Sequence, residues 1–264
     1  MNNRGTAAAI PLLLLLTILT ACSKQPAPVE PQEAAPFSAN AVPPYAEATP
    51  EGATPATTLE RNTVVLLPHG SVQRSAIWSL DSWDGKTDKE IEVCWENPSA
   101  TTDARRALVR DAVATTWAKV SLLQFIGWGQ CAATSSGIRI FIADDGPHVK
   151  ALGRYLAKYP EGMVLNFQFE NWSPSCKTRV DFCAWAIAVH EFGHAIGFAH
   201  EQNRTDAPWE CRRDHHQGTD GDWNVTEYDS ASIMNYCNVA WNNDGKLSER
   251  DVQAVQQIYG ARKL

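Results

Sequence analysis

The chain has 264 residues, a formal net charge of -7, and 44% hydrophobic and 20% charged residues. That composition is ordinary for a soluble globular protein and leaves room for one or two buried cores. The negative balance excludes a nucleic-acid or anionic-surface binder, which needs a basic face.

Arg4 precedes an apolar run from Ala7 to Ile18, flanked like a secretory signal and too short to cross a bilayer. The run ends in Leu19-Thr20-Ala21-Cys22, which resembles the lipobox of bacterial lipoproteins. The resemblance implies a signal peptide over 1–21, lipidation of Cys22, and a lipid anchor in the membrane. A plain secretory signal with an incidental cysteine is the alternative, leaving the protein exported but unanchored. Ser23 after the lipidated cysteine points to the outer membrane of a bacterial cell envelope. Seven cysteines are an odd number for an exported chain. With Cys22 set aside, Cys94, Cys131, Cys176, Cys183, Cys211 and Cys237 form an even set, for which about 15 pairings are open. No CxxC pair occurs among them, which argues against a cysteine zinc cluster.

Residues 22–60 hold eight prolines between Pro26 and Pro55 among Ala, Glu and Thr, so they read as a disordered tether. Residues 61–76 read as a leader, and the folded domain is expected over 77–264. Glu90 to Trp95 alternates like a half-buried strand. Thr101, Thr102 or Asp103 caps a helix whose apolar face runs Val109, Val113, Trp117 and Val120. Ser121–Trp128, Gly137–Ala143 and Gly162–Phe169 read as strands. A long helix follows over Asp181–Ile196. The last begins at N-cap Ser248, with Leu247 and Val252 as a hydrophobic staple, and ends at Gly260. The fold class is α/β (α+β), a mixed sheet with an active-site helix and a C-terminal helix.

His190, Glu191, His194, Gly197 and His200 form H-E-x-x-H-x-x-G-x-x-H. On a helix, positions 190 and 194 lie one turn apart on one face, so two imidazoles can converge on one Zn²⁺. Glu191 lies beside that face, where its carboxylate can reach a water in the remaining position. Trp185, Val189, Phe192 and Ile196 fall on the opposite, apolar side. Gly197 can take a positive φ, end the helix and bring His200 back to the metal. Three imidazoles leave one coordination position open, as in catalytic rather than structural zinc sites.

With a Met-turn downstream, this string is the metzincin signature. Glu201 directly after the third histidine resembles the astacin form. Ser232-Ile233-Met234-Asn235-Tyr236, after Tyr228-Asp229, resembles the astacin Met-turn. Lys246-Leu247-Ser248 to Ile258-Tyr259-Gly260 looks more like the end of matrixin catalytic domains. The resemblance covers about 77–264, which it identifies as a metzincin-type catalytic domain. It implies a zinc endopeptidase with a protein or peptide substrate, Met234 beneath the metal, and Tyr236 as a displaceable extra ligand. Glu191 would be general base and Tyr236 a hydrogen-bond donor to the oxyanion. The substrate would lie extended along an edge strand, for which Gly162 to Phe167 is the expectation. The path of the metzincin chain between the third histidine and the Met-turn implies a Cys211–Cys237 disulfide; Cys176–Cys183 and Cys94–Cys131 then complete the set.

Three rivals stand beside this reading. One is a catalytically inactive lipoprotein binding module on the same fold, against which the retained Glu191 counts. Another is a gluzincin arrangement with Glu210 or Glu227 as third ligand. The third is a zinc amidase acting on cell-wall peptides. Asp214-His215-His216 reads as a solvated loop rather than a second metal site. Asp144-Asp145-Gly146 reads as a turn, with a matrixin-like calcium loop as the weaker alternative. Nothing in the sequence specifies an oligomeric state.

Overall fold

A computed structural model describes residues 71–78 and 90–262. The expected signal peptide, Cys22, the tether and residues 61–70 of the leader lie outside the described residues.

The first strand, β1 (Ser71–Val72), precedes β2 (Glu90–Trp95) and the helix α1 (Asp103–Thr115). A short helix, α2 (Trp117–Val120), leads to β3 (Gln124–Gln130), β4 (Ile138–Ile142), β5 (His148–Val149) and β6 (Met163–Leu165). The active-site helix α3 (Val180–Ala195) follows, then α4 (Trp209–His215), β7 (Trp223–Asn224) and α5 (Glu249–Tyr259). Five strands form one sheet in the order β3-β2-β4-β6-β5. Its inner pairs are parallel, and β5 alone runs antiparallel, against β6.

This topology corrects one expectation. The segment Gly162 to Phe167 does not supply the free edge, because Met163 and Val164 of β6 pair with Val149 and His148 of β5. The edge on that side is β5. A strand of two residues has no periodicity to read.

A second correction concerns the first helix, which does not run unbroken to Val120. Thr115 and Thr116 turn their hydroxyls back onto Asp111 O at 2.7 Å and Ala112 O at 2.6 Å. Back-bonding of this kind bends helices, and Thr116 leaves helical geometry at φ -113°, ψ -100°. The break delivers Trp117 into the core, where its indole N–H donates to Val189 O at 2.7 Å.

The helix α3 is buried on all sides from Ala186 to Ala195, ligand face included, so it is not split into an apolar face and an open one. Phe192 stacks on Trp128 at 5.7 Å and meets Phe125 edge-on at 5.3 Å, which fixes α3 against the sheet. Trp185, expected in the core, is only partly buried. Disulfides join Cys94 to Cys131, Cys176 to Cys183, and Cys211 to Cys237. The second clips the entry to α3, and the third ties α4 to the chain just after Tyr236.

At the C-terminus, Ser248 caps α5 in a capping box with Asp251, and Gly260 ends it at φ 80°. Ala254, Val255 and Tyr259 are buried, whereas Val252 and Ile258 are only half covered. The Tyr259 hydroxyl donates to Ile196 O at 2.6 Å, docking α5 on the exit of α3.

Ser71 to Ala76, read from the sequence as leader, packs into the fold. β1 pairs with β7 on one side and bridges Phe198 on the other. Gln73 N–H donates to Gly197 O at 3.0 Å and Ala199 N–H to Ser71 O at 3.1 Å. The turn that carries the third histidine is therefore stitched to β1.

Candidate active site

Gly197 makes the turn after α3. Its φ of 101° is a conformation that favours glycine. Gly197 N–H donates to His194 O at 2.9 Å and Phe198 N–H to Gly193 O at 3.0 Å, closing the helix end. The chain then returns in extended geometry at His200.

His200 Nε2 thereby lies 3.3 Å from His190 Nε2 and 3.1 Å from His194 Nε2. Each Nδ1 faces a backbone carbonyl: Ile233 O for His190 at 2.8 Å, Phe198 O for His194 at 2.7 Å, and Gln217 O for His200 at 3.0 Å. A carbonyl only accepts, so each Nδ1 carries the proton and each Nε2 presents a lone pair. Three convergent lone pairs repel one another unless a cation sits among them. Nitrogens about 2.0–2.1 Å from a tetrahedral zinc lie about 3.3 Å apart, so the donor set fits Zn²⁺. Burial pushes His190 down to about 3 and His194 to about 4, and holds His200 well below the ordinary imidazole value. All three are neutral near pH 7, as ligation requires.

Glu191 is buried and lines a small cleft together with His194, His200, Tyr236, His148 and Val149. The edge strand β5 thus forms one wall of the cleft. The Tyr236 ring lies parallel to His190, at 13° and 5.2 Å, with its hydroxyl 3.4 Å from His190 Nε2. Its backbone N–H donates to Gln202 Oε1 at 3.0 Å. Met234 is buried below α3, where its sulfur fills the space beside Gly193. Its carbonyl accepts from Glu201 N–H at 2.9 Å.

Glu201 turns away from the cleft. Burial pushes its carboxyl up to about 8 against the pull of Arg204. The carboxyl accepts from Asp229 N–H at 2.9 Å and from the Ser71 backbone. Arg204 reaches Glu201 at 3.4 Å and grips Asp206 through two bonds of 2.8 and 2.6 Å.

The remaining sequence candidates do not join the site. Glu227 pairs with Arg250 at 2.6 Å, and Glu210 lies exposed on α4, so neither is the third ligand. Asp214 binds Arg213, and His216 contacts Asp220 at 3.0 Å on the surface. Among the described residues, His190, His194 and His200 are the one group of three or more metal-ligating side chains close enough to share an ion. Asp144 accepts from Asn166 Nδ2, Glu170 N, Asn171 N and Asn171 Nδ2, organising the loop after β6. Four N–H donors on one carboxylate favour the turn reading over a cation loop. His148, Gly193 and Gln202 lay outside the sequence reading. Only Gly193, a glycine inside a helix, carried a local signal.

Residues 180–264 match the peptidase family described as Astacin. The matched segment opens with α3 and carries the three histidines, Met234 and Tyr236, so this part of the chain is astacin-like. Interstitial collagenase from Bos taurus is 25% identical over 183 residues, covering 63% of this chain and 33% of its own length. The chain therefore spans about a third of that relative. Among solved structures, myroilysin is similar at a TM-score of 0.48 and 20% identity, covering 74% of this chain and 100% of that one. High choriolytic enzyme 1, a hatching enzyme zinc-protease from Oryzias latipes, is similar at 0.46 and 19% identity, over 71% and 96% of the two chains.

Proposed function

We propose that the chain is a zinc-dependent endopeptidase acting on proteins or peptides. The observation that carries this reading is the set of three Nε2 atoms at 3.1 and 3.3 Å, with Glu191 in the same cleft. The astacin match over the same residues supports it. A zinc ion held by His190, His194 and His200 supplies Lewis acidity to a water and to the scissile carbonyl.

Glu191 takes the proton of the attacking water and delivers it to the leaving amine. It is buried in the same cleft as His194, His200 and Tyr236, within which that proton has to move. Tyr236 donates a hydrogen bond to the carbonyl oxygen as that oxygen gains charge. The substrate runs extended along His148–Val149, whose outer side faces no further strand among the described residues.

Casein zymography with a chelator, and with zinc restored, tests the activity. Glu191→Gln is expected to hold one zinc per chain while losing about 10²–10⁴-fold in turnover, since it removes the base and no ligand. Near-normal turnover would remove Glu191 from this role. Zinc binding without hydrolysis of any unfolded protein would favour an inactive binding module, and cleavage confined to cell-wall peptides an amidase.

The chain is further read as anchored to the bacterial envelope through a lipid on Cys22, because Leu19 to Cys22 have the lipobox form. Detergent-phase partitioning of wild type and Cys22→Ser decides this. Aqueous partitioning of both would refute the anchor.

A further inference from the structure

The C-terminal helix reaches the zinc site through one buried carboxylate. Asp251 is 5% exposed and accepts three hydrogen bonds. Ser248 N–H donates to its Oδ2 at 2.9 Å, within the capping box of α5. The other two donors come from the Met-turn: Ile233 N–H to Oδ2 at 2.9 Å and Ser232 Oγ to Oδ1 at 2.7 Å.

Ser232 Oγ gives its proton to Asp251, so its lone pairs are left to accept, and it accepts Met234 N–H at 3.0 Å. That N–H shares a peptide plane with the Ile233 carbonyl, which accepts the Nδ1 proton of His190 at 2.8 Å. The order is Asp251 carboxylate, Ser232 hydroxyl, Ile233–Met234 peptide, His190 ring. Every bond in the series donates toward the carboxylate, so each polarises the next. Metal-bound histidines are commonly oriented by a carboxylate or a carbonyl on the other ring nitrogen. Here a carbonyl does so, held in turn by a carboxylate.

We propose that Asp251 is a positioning residue for the zinc ligand His190, acting through Ser232 and the Ile233–Met234 peptide. The inference rests on the reading of His190 as a ligand. It gives Asp251 two separable jobs, because the bond to Ser248 serves the helix cap and the bond to Ser232 serves the site.

Three variants separate them, each assayed for zinc affinity by competition with a chromogenic chelator, with circular dichroism confirming the fold. Asp251→Asn cuts the relay and weakens the cap. Ser232→Ala cuts the relay alone, and serves where Asp251→Asn fails to fold. Ser248→Ala weakens the cap alone. The relay variants are expected to lose about 10–100-fold in zinc affinity. Their kcat should fall with KM little changed, and their cobalt-substituted spectra should shift. Ser248→Ala is expected to melt earlier while binding zinc as wild type does. Wild-type affinity in Ser232→Ala and in folded Asp251→Asn would overturn the proposal, as would a loss in Ser248→Ala equal to theirs. A wild-type chain that binds no zinc would instead sink the functional reading on which this one stands.

Discussion

The Met234 sulfur occupies the place where a side chain at Gly193 would stand. A Cβ built on Gly193 would collide with that sulfur and come within 3.1 Å of Trp117. Gly193 lies between the two helix ligands, so the contact passes any disturbance directly to them. Glycine inside a helix costs about 1 kcal/mol relative to alanine, and that cost is accepted here for close packing on the Met-turn. Gly193→Ala recovers the propensity but overpacks a full core, at about 1–3 kcal/mol. The expected net result is a less stable protein with lower zinc occupancy. Denaturant unfolding and metal analysis on one preparation check this, and a more stable variant with full zinc would contradict it.

Tyr236 meets the site through two separable features. Its ring stacks on His190 and its hydroxyl approaches His190 Nε2. Tyr236→Phe keeps the first and removes the second. If the hydroxyl serves the oxyanion, kcat should fall by about 10²–10³-fold. Zinc affinity and KM should hardly move. Steady-state kinetics on a peptide substrate distinguish the outcomes, since an unchanged kcat would reduce Tyr236 to a packing residue.

What the sequence made legible was what repeats or punctuates. The active-site helix is expected over Asp181–Ile196 and found at Val180–Ala195 because ligand spacing and helical period coincide. Ser248 and Gly260 bracket α5 because caps have residue preferences. What stayed hidden depends on backbone atoms or very short elements. The carbonyls of Ile233, Phe198 and Gln217 orient all three ligands, yet a carbonyl belongs to every residue type. β1 and β5 have two residues each, too few for alternation to show, and both border the site. The break at Thr116 needed two hydroxyls to choose the backbone over solvent, which no periodicity records.

Acid stability of the metal-free protein follows from a balance of buried groups. In the fold His190 is pushed down to about 3, His194 to about 4 and His200 well below its ordinary value, all by burial first. The unfolded chain protonates the same rings near pH 6.5. A folded pKa below the unfolded one gives stability that is present above pH 6.5 and drains away as the pH falls. Two buried carboxyls act in the opposite sense. Asp251 is pushed up to about 6 and Glu201 to about 8, so their contribution is present in acid and lost as the pH rises. Between pH 6 and 5 the unfolded chain thus takes up about three protons on histidine, while the fold keeps about two on carboxyls. The net uptake of about one proton favours unfolding in acid, at about 1.4 kcal/mol per pH unit. Chemical denaturation of chelated protein across this window measures that slope. Stability that is flat or rises toward pH 5 would mean that the three rings are not held neutral in the fold.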